Sequence, residues 1–355
     1  MSSTPQFTSI GGQAVIEGVM MRSPHFIAVA VRKSNQRILI RSFAYSSWGQ
    51  RSFFKKPIVR GVITLVESMI QGIEALTFSA QVAADEEDSS GSSKSELSNW
   101  AMVGTLFMAF VLGMGLFVAL PHGLTVGLTH QFGDTWTAQD PFFHLVDGSF
   151  KILILLLYVY LIGKMKEIHR VFQYHGAEHK SIYTFEARES LTVENAKKHT
   201  PLHPRCGTSF LLFLVLISVG VFSIVFPLFH LTQLSPHFWL NHLLMVIVKI
   251  FLMLPVAGLA YELIKACAFR MDRPFFRFLI WPGLILQKFT TREPTEDQLE
   301  VALASLKQVL GLEKMILKDG LLDLKKGFNG LKEIEISSLQ DLGEIVARVE
   351  EFPEI

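Results

Sequence analysis

Residues 101–120 are twenty consecutive positions without a charge. As α-helix such a run extends about 30 Å, the hydrocarbon thickness of a bilayer. Residues 208–229 are a second charge-free run, and residues 238–260 a third, interrupted only by Lys249. Residues 150–163 are shorter, but 142–146 extend them if Asp147 and Lys151 lie near the interface, where a lysine stem can snorkel. A chain in hydrocarbon must satisfy its own backbone, so these runs predict helices. The reading is four transmembrane helices. Residues 275–289 are apolar but too short to span, and Trp281, Pro282 and Gly283 predict a break there. That segment is expected to be re-entrant or interfacial.

Composition agrees. Half of the 355 residues are hydrophobic and 18% are charged, against about 25% in soluble chains. Depletion of charge argues against a disordered chain, and a net charge of +1 argues against a nucleic-acid binder. Two cysteines cannot build a disulfide framework. The first 20 residues lack the basic start and apolar core of a signal peptide.

Lysine and arginine set the expected orientation. Residues 1–100 carry ten, 101–150 none, 164–207 eight, 208–248 none and 270–292 five. This alternation fits a multi-pass protein of the cell membrane with both termini cytosolic. The fold class expected is mainly α, a polytopic membrane helical bundle with a small cytosolic β-rich N-terminal lobe.

Four regions follow. Residues 1–60 form the β-rich lobe, where 27–31 and 37–41 flank Ser34, Asn35 and Gln36 as a hairpin. Residues 61–98 hold an amphipathic helix on the membrane or the core, with Val62, Leu65, Val66, Met69, Ile73 and Leu76 at helical spacing, then an acidic, serine-rich linker over 84–98. Residues 99–290 form the bundle with a cytosolic loop at 164–207. Residues 291–355 are a cytosolic helical tail, amphipathic over 299–310 and 316–324.

The loop at 164–207 carries the chemistry. His175 and His179 stand at i and i+4 on one helical face, close enough to share a metal ion. Glu178 projects toward the same side. The order His-x-x-Glu-His is that of inverted zincins, whose glutamate is the general base. His203 and Cys206 follow 24 and 27 residues after His179, and both are good zinc ligands. His175, His179, His203 and Cys206 are therefore the candidate ligands of a Zn²⁺ ion, with Glu178 catalytic. Four ligands would close the metal and make the site structural; three would leave a position open. Glu262 rivals Cys206 as a distant third ligand, unless it pairs with Lys265. Lys249 is an ionisable group at membrane depth that implies function or a buried partner; Asp147 is a candidate for that partner, although it would lie toward the other face. Glu17 is read as a salt bridge to Arg22 or, alternatively, as a substrate or metal contact. No phosphate loop, dinucleotide fingerprint or Ser-His-Asp signature is present.

The runs GGQAVIEGVMMRSP at 11–24, YHGAEHK at 174–180, HPRCGTSF at 203–210 and TTREP at 290–294 resemble the YqhQ-like bacterial membrane family, over about residues 10–305. The resemblance implies a multi-spanning protein with a metal site at the matching His, Glu and Cys positions. It supplies no substrate.

The expectation is a membrane-embedded zinc hydrolase at the cytosolic face of the lipid bilayer, acting on a peptide or lipid-linked molecule. The alternative is a non-enzymatic scaffold or assembly factor held by a structural zinc. A transporter would need a polar path, to which only Lys249 and Glu262 contribute.

Overall fold

In the computed structural model the described residues are 10–48, 52–87, 99–133, 136–268, 270, 273–319 and 332–342. The expected linker lies outside them over 88–98, and the expected tail helix over 320–324.

The chain opens with strands β1 (Gly11–Val15), β2 (Gly18–Arg22), β3 (Phe26–Arg32) and β4 (Ile38–Ala44). They pair antiparallel in chain order. A two-residue turn joins β1 to β2, with Glu17 at φ 51°. Gly18 follows because an added Cβ would stand 2.2 Å from the Ala30 carbonyl oxygen. The hairpin of β3 and β4 is the one expected. The tail, expected to be helical, also supplies a fifth strand, β5 (Lys332–Ile336), antiparallel to β4.

Side chains alternate across a strand. Val19, Met21, Ala28, Ala30, Ile38 and Ile40 therefore face one core, and Val15, Met20, Ile27, Val29 and Val31 another. The first core is closed by α10 (Glu296–Asp319) and α5 (Lys166–Glu186). Helix α10 starts in a capping box. Thr295 Oγ1 accepts from the Gln298 amide, and Gln298 Oε1 accepts from the Thr295 amide. Its residues 301–306 are all buried, because sheet and α5 cover it from both sides. The second core is closed by Ala75, Phe78 and Val82 of α1 (Val59–Glu87).

The remaining helices are α2 (Asn99–Met114), continued through a π-helical turn into α3 (Leu120–Gln131), then α4 (Pro141–Ile162), the short α6 (Val193–Lys197), α7 (Gly207–Leu228), α8 (Phe238–Ala268) and α9 (Pro274–Thr290). Five segments among the described residues are long and apolar enough to cross a membrane: Val59–Ala84, Gly104–Gln131, Pro141–Ile162, Gly207–Leu228 and Phe238–Cys267. This is one more than the four expected. The addition is α1, where Glu67 and Gln71 are buried, while Glu74 is exposed alongside Val66, Met69, Ile70, Ile73 and Leu76. Phe107, Leu112, Ile224 and Phe251 are likewise exposed on the other candidate spans. In water such a surface would be costly; in hydrocarbon it is the expected one.

Helix α9 corrects a second expectation. It runs unbroken through Pro282. Gly283 lies against Ser209 of α7, where an added Cβ would meet Oγ at 2.6 Å. Helix α1 meets α8 by a similar close approach, Gly61 against Gly258.

Candidate metal centre

The site forms where the sheet lobe meets the bundle. Helix α5 supplies His175, Glu178 and His179. The turn before α7 supplies His203 and Cys206, with Cys206 as the N-cap of that helix. The segment after α9 crosses α5 so closely that a Cβ on Gly176 would stand 2.1 Å from the Arg292 carbonyl oxygen.

Backbone carbonyls fix both α5 imidazoles. His175 donates from Nδ1 to the Thr290 carbonyl at 2.9 Å, and His179 donates from Nδ1 to the Pro201 carbonyl. A carbonyl only accepts, so each Nδ1 carries the proton and each Nε2 keeps its lone pair. That is how metal-ligating histidines are oriented. His175 Nε2 lies 3.1 Å from Cys206 Sγ. His179 Nε2 is buried without a hydrogen-bond partner among the described residues, an expensive state for an unused acceptor. One donor atom from each of His175, His179 and Cys206 lies within 4.8 Å of the other two. Two imidazoles and a sulfur suit zinc, and the orphaned nitrogen gives an ion a place to bind. The residues present fit the metal.

Glu178 is 5% exposed, and its Oε2 lies 3.4 Å from His179 Nε2. Burial pushes its carboxyl above the ordinary carboxylate range, against the pull of the His175 and His203 rings and the Gly12 amide. Burial pushes the His179 imidazole down. Gly12 makes room for Glu178, since a Cβ there would stand 2.6 Å from Glu178 Cγ. The three candidate ligands, Glu178, Gly12 and Arg22 line a cavity of about 390 Å³.

His203 stands apart from the three-residue group. Its Nδ1 accepts from the Arg205 amide at 3.3 Å, and its Nε2 donates to Glu186 at 3.4 Å. Both nitrogens are engaged. Gln287 grips its backbone, accepting from the His203 amide and donating to the His203 carbonyl, each at 2.8 Å. Arg205 pairs with Glu186.

Other expected partners change. Glu17 pairs with Arg170 and accepts from Tyr174, not Arg22; Arg22 donates to Gln71. Glu262 pairs with Arg60 rather than Lys265 and is outside the metal group. Lys249 does have Asp147 as its partner, at 3.0 Å. Sequence reasoning missed Gln287 and the carbonyls of Pro201 and Thr290. Carbonyls carry no residue signature, although Thr290 and Gly12 fall within the motifs quoted above.

Fold and site define a multi-pass, mainly helical membrane protein with a largely buried His-His-Cys cluster under an antiparallel sheet. The sequence matches the family described as "Protein of unknown function (DUF1385)" over residues 56–312, and the chain belongs to that family. It is 32% identical to "Uncharacterized protein YqhQ" of Bacillus subtilis (strain 168) over 315 residues, 86% of this chain and 93% of the relative. No solved structure matches it.

Proposed function

We propose that this protein is a zinc-dependent hydrolase working at the cytosolic face of the membrane. The observation that carries the reading is the convergence of His175 Nε2, His179 Nε2 and Cys206 Sγ beside a buried carboxylate. His175, His179 and Cys206 would hold the ion. Three protein ligands leave the fourth position for water or substrate, as catalytic zinc requires. Bound zinc supplies a Lewis acid and makes water nucleophilic near neutral pH. Glu178 accepts the proton of the attacking water and returns it to the leaving group. Its burial makes it a stronger base than an exposed glutamate. The Thr290 and Pro201 carbonyls hold the two rings in the ligand tautomer. Arg22, on the cavity wall, offers positive charge to the substrate, a peptide or a lipid-linked molecule.

The structural-zinc scaffold needs His203 as fourth ligand, and the engagement of both its nitrogens weighs against that. A second catalytic reading draws on the His175–Cys206 contact: Cys206 as nucleophile, its proton taken by His175 Nε2, with the Thr290 carbonyl orienting the ring.

The topology belongs to the proposal. The lobe faces the cytosol, a placement that the Lys and Arg distribution supports. Four helices cross, and α1 lies along the interface. Its start packs on Gly258 and Glu262 of α8 while its later turns pack on the sheet, so both ends stay at the lobe's level.

The test is metal content and hydrolysis measured together. Glu178→Gln should keep the metal and lose turnover of any peptide or lipid-linked substrate found in a screen. Persistence of turnover ends the general-base role. Full turnover in metal-stripped protein favours the thiol reading instead.

A further inference from the structure

The bundle holds a second group of titratable side chains that the metal centre does not use. Lys249 of α8 is fully buried and donates to Asp147 Oδ2 of α4 at 3.0 Å. Lys151, one turn along α4, donates to the same oxygen at 2.8 Å. Lys249 Nζ also lies 3.0 Å from Nδ1 of His122 in α3. His122 Nε2 in turn lies 3.1 Å from Nδ1 of His242 in α8. His242 is partly exposed, one turn from the start of α8. A continuous hydrogen-bonded chain therefore runs from this helix end to Asp147.

The Phe143 ring of α4 lies 5.5 Å from Lys249 Nζ. His144 of α4 donates from Nε2 to the Ala138 carbonyl at 3.0 Å. From α7 the group meets Phe222, whose ring lies under both lysines. Asp147 Oδ1 and His144 Nδ1 are buried without a partner among the described residues, so the carboxylate has an acceptor position to spare. Lys249 stands eleven residues into α8, about 16 Å along the axis and near the middle of a 30 Å layer.

Charge decides how such a group can exist there. Two ammoniums against one carboxylate leave a net positive charge in hydrocarbon, which is costly. Removing one proton makes the group neutral. Lys151 and Asp147 already form a pair within α4, so the surplus proton belongs to Lys249.

We propose that Lys249 is a proton-binding site inside the bilayer, loaded through His242 and His122 from the membrane face opposite the lobe. A proton from water binds His242 Nε2. His242 then passes its Nδ1 proton to His122 Nε2, and His122 passes its Nδ1 proton to the Lys249 amine. One proton enters, each ring exchanges one tautomer for the other, and the His242–His122 and His122–Lys249 hydrogen bonds reverse without breaking, while Lys249 donates to Asp147 throughout. The loaded ammonium is held by Asp147 Oδ2. The site stands on different residues from the metal centre and does not depend on it.

The test uses the full chain, labelled with ¹⁵N-lysine, in phosphatidylglycerol nanodiscs. One buried lysine Nζ resonance should move reversibly between amine and ammonium between about pH 5 and pH 10. It should be lost in Lys249→Met and retained in Lys314→Met. After a pH jump, His242→Phe should slow its loading, and because His242 is at the partly exposed end this variant keeps the buried pair intact if Lys249→Met misfolds. All lysines remaining ammonium across that range would overturn the proposal. So would a titrating signal that survives Lys249→Met, or loading unaffected by His242→Phe.

Discussion

His175 Nε2 lies 3.1 Å from Cys206 Sγ, although 31 positions separate the two residues. Helix α5 presents the imidazole, and the N-cap of α7 presents the sulfur. The contact is thus a joint between lobe and bundle as well as a pair of potential ligands. Thr290 closes the arrangement from α9 by accepting from the same ring. Three separated segments meet at one histidine.

Gly12→Ala should lower turnover while leaving the metal in place. The added methyl would stand 2.6 Å from Glu178 Cγ and 2.7 Å from Oε1, so the carboxylate must move. Parallel metal analysis and hydrolysis measurements check this, because a displaced ligand would lower both.

Gly176→Ala should destabilise the junction between α5 and the segment after α9. Its Cβ would face the Arg292 carbonyl oxygen at 2.1 Å, and backbone cannot step aside as a side-chain tip can. Overpacking of this kind costs about 1–3 kcal/mol. A lowered thermal midpoint in nanodiscs is the expected result. The same change at Gly207, where a Cβ meets nothing within 4 Å, should be tolerated at that contact.

Acid should weaken the fold through His203. Burial holds its imidazole down from 6.5 to about 4 in the folded chain, whereas the unfolded chain takes the proton near the ordinary value. Its contribution is therefore full above about pH 6.5 and is lost as the pH falls toward 4, by on the order of 1 kcal/mol per pH unit. Unfolding midpoints at pH 7 and pH 5 should differ more for the wild type than for His203→Gln.

The legible parts of this structure are those whose signal is local. Charge-free runs marked the bundle, apolar runs flanking a polar turn marked the hairpin of β3 and β4, and the i, i+4 histidines marked one face of α5. What escaped depends on distant chain. Helix α1 hides Glu67 and Gln71 against protein and leaves Glu74 exposed, so its composition understated how apolar most of its outer face is. Pro282 lies in a helix held by α7 and continues it where local preference predicts a break. Strand β5 reaches the sheet from the far end of the sequence. His203 shares its turn with Cys206, yet Gln287 and Glu186 draw it away from the cluster. The Arg60–Glu262 and Arg170–Glu17 pairs span 202 and 153 positions, beyond any spacing rule.

Orientation is open to a labelling measurement. Thr137→Cys lies between α3 and α4, and Glu189→Cys lies after α5. Both native cysteines are buried, so an impermeant maleimide reports the new sites. In intact cells Thr137→Cys should label and Glu189→Cys should label only after permeabilisation. The reverse pattern would put the lobe outside.

The most direct test is metal analysis of the purified chain with X-ray absorption at the metal edge. The expected result is one zinc ion per chain, bound by two imidazole nitrogens, one sulfur and one light atom. Zinc should be lost in His175→Ala, His179→Ala and Cys206→Ser, and kept in Glu178→Gln and His203→Gln. A chain without metal, or a metal shell without sulfur, would contradict it.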